Sequence, residues 1–142
     1  IYNIHLASNW FNRSDYSFIE NPKKEKLKDG LLGIIEKMKN SYKKRAEEVT
    51  IIKEHMQNSP YPIIVCGDFN DTPLSYAYNV LKGNLVDAFS ISGRGIGVSF
   101  VKIPILRIDY ILHDPNLKST NYKNHKQILS DHYAVSCEIT IP

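Results

Sequence analysis

Apolar residues recur at Leu27, Leu31, Ile34, Met38, Tyr42, Val49, Ile52 and Met56, the spacing of one helix face, and the polar residue at a station of that face is Arg45. This predicts a long amphipathic helix. Asp29-Gly30 and Gly33 weaken its first turns, and Asn40-Ser41 is the natural place for a bend. Asn58 to Pro62 ends it and feeds a different pattern, the unbroken apolar run Ile63-Ile64-Val65-Cys66, which suits a β-strand covered on both faces and stopping at Gly67. Residues 1–7, Arg107 to His113 and the alternating series Tyr133, Val135, Cys137, Ile139 and Ile141 predict further strands. Thr72 as N-cap with Pro73 at the first helical position predicts a short helix from Leu74 to Leu81, ended by Gly83. Gly93, Gly95 and Gly97 read as a hairpin turn before a strand from Val98 to Ile103, and Trp10 to Phe18 as an aromatic, polar loop. Helices alternating with strands and then a run of strands indicate a layered α/β fold.

Composition narrows this little. The 142 residues, 42% hydrophobic and 11% aromatic, are enough for one domain with a core. No apolar run approaches the ~18 residues of a membrane span. The chain opens at Ile1 directly inside a strand, so it is expected to continue upstream, where any signal or membrane anchor would lie. Cys66 and Cys137 sit at apolar strand positions without metal-ligand spacing and read as buried thiols. The net charge of +3 is uneven: the stretch Lys23 to Lys53 carries +5 and the rest −2, which a solvated helix face explains better than a nucleic-acid surface.

What alters the picture is where polar groups interrupt the strands. Asp68 and Asn70, two apart, leave an extended backbone on the same side. Asp109 lies inside Arg107-Ile-Asp-Tyr-Ile-Leu112, Asp131 and His132 open the last strand, and Asn3 and His5 alternate on the first. A Gly-Asp-x-Asn stretch alone is as readily a turn as a site. Four such groups on separate strands favour pairing or chemistry, because a buried unpaired charge is costly. His113 and His125 have no partner at ligand spacing and are expected on the surface.

Asn3-x-His5-Leu6, Gly67-Asp68-Phe69-Asn70, Arg107-Ile108-Asp109-Tyr110-Ile111 and Ser130-Asp131-His132, in this order, resemble the later motifs of the endonuclease/exonuclease/phosphatase superfamily, and the linking text is most similar to its bacterial members. The resemblance implies the DNase I-like layered α/β sandwich, with the chain supplying the C-terminal half of one domain as a mostly antiparallel sheet flanked by helices. It implies a metal-dependent phosphoesterase in which activated water attacks a phosphodiester or phosphomonoester. On that basis Asp68 takes the proton of the water, Asn70 orients water or phosphate, and His132 faces the phosphate. Asp109 holds His132, His5 bonds a phosphate oxygen, and Asp131 lies at the metal site. Asp71 is expected in a turn or cap. Asn3, Asn9, Trp10 and Arg13 are candidate substrate contacts.

The metal implied is Mg²⁺, or Mn²⁺ in its place, since the donors are carboxylates and an amide. No residue matches the family's main metal Glu, Glu20 and Glu25 lying in a loop and a helix start, so this stretch by itself is expected to be inactive. The substrate ranges over nucleic acid, phospholipid head group and small phosphoester; His5, where the AP endonuclease branch has Tyr, leans toward the DNase-like, phosphatase and phospholipase branches. The rival reading is a non-catalytic binding module on the same fold, which predicts loss of one of Asp68, Asn70, Asp109 or His132; all four are present. An inner sheet face carrying Val65, Ile108, Val135 and Ile139 is expected to lie open and to pair with a second copy.

Overall fold

The computed structural model describes residues 1–9, 11–20, 27–103 and 105–142. Trp10, Glu25 and the basic residues Lys23, Lys24 and Lys26 therefore lie outside the described residues. In chain order the elements are β1 (Tyr2–His5), α1 (Arg13–Glu20), α2 (Leu27–Gln57), β2 (Ile64–Asp68), α3 (Tyr76–Lys82), β3 (Val86–Asp87), α4 (Ala88–Ser92), β4 (Asp109–His113), β5 (Lys118–His125) and β6 (Ala134–Thr140). One sheet has the order β1-β2-β4-β3 and a second pairs β5 with β6. β1 and β2 are parallel, as their connection through α2 requires, and the other pairs are antiparallel. The mixed α/β architecture predicted from the pattern is the one observed.

The helical stripe buries Ile34, Val49 and Met56, and the last two join Val65, Leu112, Tyr110, Phe69 and Leu81 in one core between α2, α3 and the larger sheet. Leu31 and Tyr42 on the same stripe remain exposed. α2 runs unbroken through Asn40-Ser41, because Ser41 turns inward and its hydroxyl bonds Lys37 O at 3.0 Å and Ser8 O at 2.8 Å. Gly67 continues β2 rather than ending it, with φ at +138°; a Cβ there would stand 1.9 Å from Ile4 O, so β1 can pair beside it only because it is glycine.

Several expectations are corrected. The loop Trp10 to Phe18 contains the start of α1, closed by a reciprocal cap in which Asp15 N–H donates to Asn12 Oδ1 and Asn12 N–H to Asp15 Oδ2. The short helix begins at Tyr76, with Ser75 and not Thr72 as its N-cap, accepting from Tyr78 N–H at 3.1 Å. Val98 to Ile103 forms no strand; among the described residues it is held by one bridge, Phe100 to His132, and by Ser99 N–H donating to Leu106 O at 2.9 Å, while the Ser99 hydroxyl takes the N–H groups of Ile108 and Asp109. α4, β3 and β5 had no sequence expectation. His113 is buried, its ring nitrogens meeting Asp114 O and Ser119 Oγ at 2.9 and 2.8 Å, because β5 covers it; His125 is exposed as expected. Cys66 and Cys137 are only half-buried. Val65 and Ile108 are buried within this chain, so of the four residues expected on an open face only Val135 and Ile139 stay partly exposed.

A polar knot supports β3, α3 and β4 from inside. Asp87 accepts from Arg107 Nη1 at 2.8 Å, Tyr78 Oη at 2.9 Å and Phe89 N–H at 3.0 Å, and the Arg107 guanidinium lies between the Phe89 and Tyr110 rings. Burial, with Asp87 beside it, pushes the Tyr78 phenol from 10.0 up to about 12. Burial likewise lifts Tyr122 to about 12, and Tyr110 in the same direction. These folded-state values lie above the unfolded one, so the stability the neutral phenols contribute is full below about pH 10 and lost as pH rises through about 12. A melting temperature that holds to pH 10 and then falls steadily toward pH 12 is expected; a flat profile across that window would show the phenols ionising without loss of the fold.

Candidate active site

The ladder of the larger sheet puts three polar residues in one transverse row. His5 pairs with Asp68 across β1 and β2, and Asp68 with Asp109 across β2 and β4. Paired residues face the same way, and the next positions in each strand, Ile4 and Tyr110, belong to the core on the other face. The row therefore emerges on the side away from α2. His132, just before β6, is brought onto it by the bridge to Phe100, whose ring stands edge-on to the imidazole at 5.2 Å.

His132 Nδ1 lies 2.8 Å from Asp109 Oδ2, and Nε2 lies 3.9 Å from Asp68 Oδ2. His5 Nε2 approaches the same Asp68 oxygen at 3.6 Å from a largely exposed position. Asn70, in the left-handed region at φ +51°, closes the corner: its N–H donates to Asp68 Oδ1 at 2.7 Å and its Nδ2 to Asp68 Oδ2 at 3.0 Å and Leu6 O at 2.9 Å. Asparagine tolerates that backbone better than most residues. Burial pushes the Asp68 carboxyl up, the Asn70 N–H holds it back, and the Asp109 charge adds to the rise. The result is a carboxylate of enhanced basicity in a cleft of about 1080 Å³.

Of the remaining sequence candidates, Asp131 borders this cleft on its rim, half exposed and 3.5 Å from Lys102 Nζ. Asn9 also borders it, but its Oδ1 accepts from Arg45 Nη1 and Nη2 at 3.2 and 3.3 Å. Asn3 and Arg13 are exposed and do not border it. Asp71 does more than turn or cap. Besides taking Thr72 N–H it is buried against Arg45 Nε at 3.1 Å, and its carbonyl accepts from Tyr110 Oη at 2.8 Å. The sequence signal for that pair is Arg45 on an otherwise apolar stripe.

Asp68, Asp109 and His132 each offer one ligand atom, all within 4.8 Å of one another. The set fits a hard divalent cation through its carboxylate oxygens, with the imidazole, held by Asp109 through Nδ1, presenting Nε2 on the same side.

The sequence model of the endonuclease/exonuclease/phosphatase family matches residues 39–132. The chain belongs to the endonuclease/exonuclease/phosphatase family. Members of this family are hydrolases and usually use divalent metals. The match takes in Asp68, Asn70, Asp109 and His132, while His5 precedes it. Among solved structures the chain is similar to a functionally unknown conserved protein from Enterococcus faecalis, at a TM-score of 0.61 and 18% identity over 70% of this chain and 45% of that one. It is similar also to a mannosyl-6-phosphatase from Bacteroides thetaiotaomicron, at 0.56 and 22% over 70% and 46%. The catalytic domain of human nocturnin, solved with a bound sulfate, gives 0.54 and 21% over 70% and 40%. At these identities the likeness establishes the fold, and the matched part spans less than half the length of each of these structures. No match was found among curated protein sequences.

Proposed function

We propose that the protein is a phosphoester hydrolase acting with Mg²⁺ or Mn²⁺. The observation carrying this reading is the line Asp109–His132–Asp68, with separations of 2.8 and 3.9 Å, on the floor of an open cleft. Hydrolysis needs a base for the attacking water, positive charge for the phosphoryl oxygens and a group that fixes the angle of attack. Asp68, its carboxyl lifted by burial, takes the water's proton. Asn70, locked by its bonds to Asp68 and Leu6 O, orients the water or the phosphate. Asp109 accepts from Nδ1 of His132, which fixes the tautomer and aims Nε2 into the cleft. His5, exposed at the open end of the row, is placed to meet a phosphate oxygen. Asp68 and Asp109, with His132, would hold the cation, and Asp131 lies on the same rim. Bound there, the cation would offset charge developing on the phosphoryl oxygens.

The phosphatase among the similar structures supports a phosphoester in general terms, and a phosphomonoester, a nucleic-acid phosphodiester and a phospholipid head group all meet the chemistry of the site. The test is hydrolysis of bis(nitrophenyl) phosphate and nitrophenyl phosphate by the full-length protein. Activity is expected with Mg²⁺ or Mn²⁺, lost to chelator and restored by excess metal, with the preferred ester assigning the class. Hydrolysis of neither ester with either metal would overturn the reading.

A further inference from the structure

The helix face that packs α2 on the core also carries polar residues at Ser41, Arg45 and Glu48, one turn apart, and all three reach the same short segment. Ser41 Oγ donates to Ser8 O at 2.8 Å, Arg45 Nη1 to Ala7 O at 2.7 Å, and Glu48 Oε2 accepts Ala7 N–H at 2.8 Å. The peptides Leu6–Ala7, Ala7–Ser8 and Ser8–Asn9, just past β1, are thus gripped by donor and acceptor groups of one rigid element. Arg45 extends the grip to the other side of the site. Its side chain is 1% exposed, its Nε meets Asp71 Oδ2 at 3.1 Å, and Asp71 is 6% exposed. Asp71 is the residue after Asn70, and Ala7 lies two after His5. Between these anchors, Asn70 Nδ2 bonds Leu6 O.

We propose that Arg45 is a positioning residue for the hydrolytic site, tying the exit of β1, just past His5, to the loop that follows Asp68 and carries Asn70. This rests on the proposed hydrolase reading. The guanidinium suits this role because its fork engages a carboxylate, a carbonyl and the Asn9 amide oxygen at once, which an ammonium cannot do. Strand pairing holds His5 beside Asp68, and Leu6 N–H donates to Asp68 O at 3.0 Å, so what remains to be gripped from outside is Asn70, at φ +51°, and the backbone past Leu6. A displacement of an ångström at reacting groups is enough to cost about 10² in rate.

A structural role alone would also make Arg45 important, so stability has to be separated from positioning. Arg45→Lys keeps the charge and loses the fork. Arg45→Met with Asp71→Leu replaces the buried pair by apolar side chains, a change that often leaves stability intact. In both variants kcat for bis(nitrophenyl) phosphate is expected to fall at least about tenfold at near-constant KM. Amide exchange at Asn70 and Ala7, followed by NMR, is expected to speed up by a similar factor while exchange in the core strands is unchanged. Folded variants with the wild-type kcat and wild-type exchange at Asn70 would overturn the proposal. If the unaltered protein hydrolyses no phosphoester, the hydrolase reading fails, and the exchange rates alone still decide whether Arg45 fixes the loop.

Discussion

Asp68→Asn is expected to lower kcat by about 10²–10⁴, with a much smaller change in KM. The side chain is 16% exposed, and His5, His132 and both nitrogens of Asn70 point at its oxygens. An asparagine there keeps the volume and one acceptor oxygen for the Asn70 N–H, but it cannot take a proton from water. Removing the charge relieves the burial that pushes the carboxyl up, while the new amide nitrogen forfeits the bond from Asn70 Nδ2, so the two effects oppose and thermal stability should change little. Loss of rate with retained stability is thus the signature of a base. Steady-state kinetics and a melting curve on the same preparation check it, and a variant with full activity would end the assignment.

Arg107→Met should be the most destabilising single replacement, at about 3–5 kcal/mol, because it strands a charge rather than removing a contact. Asp87 is 2% exposed and keeps only the Tyr78 hydroxyl and the Phe89 N–H once the guanidinium is gone. Methionine fills much of the space between Phe89 and Tyr110, so the deficit measured is largely electrostatic. The contact from Tyr110 Oη to the Arg107 carbonyl is made to backbone and survives the change. Urea denaturation gives the number. A loss below about 1 kcal/mol would mean that Asp87 is served by water or takes up a proton in the folded state.

What could be read in advance followed from the range of each signal. α2 and the runs in β2 and β4 declare themselves over a few successive residues, and so did the polar interruptions that mark the candidate site. Arg45 was visible as an anomaly, but its partner Asp71 is 26 positions away and nothing local links them. β5 stayed hidden because Lys118 to His125 is polar at nearly every position and its period is broken by a bulge between Thr120 and Lys123. His113 was misplaced for the same reason, since the hydroxyl that satisfies it, Ser119, belongs to that unseen strand. α1 had a legible signal in Asn12 and Asp15, outweighed by the aromatic composition around it.

The spacing of His5, Asp68 and Asp109 is set by inter-strand hydrogen bonds and not by the lengths of the segments between them. Loops joining those strands can therefore gain or lose residues over evolutionary time while the reactive groups keep their distances. Within a strand the tolerance is nil: one residue inserted between Ile64 and Asp68 slips the register and turns the carboxylate toward α2. Diversification of what is bound is thus decoupled from conservation of the chemistry. Insertions and deletions among relatives should gather in the connections and spare the ladder.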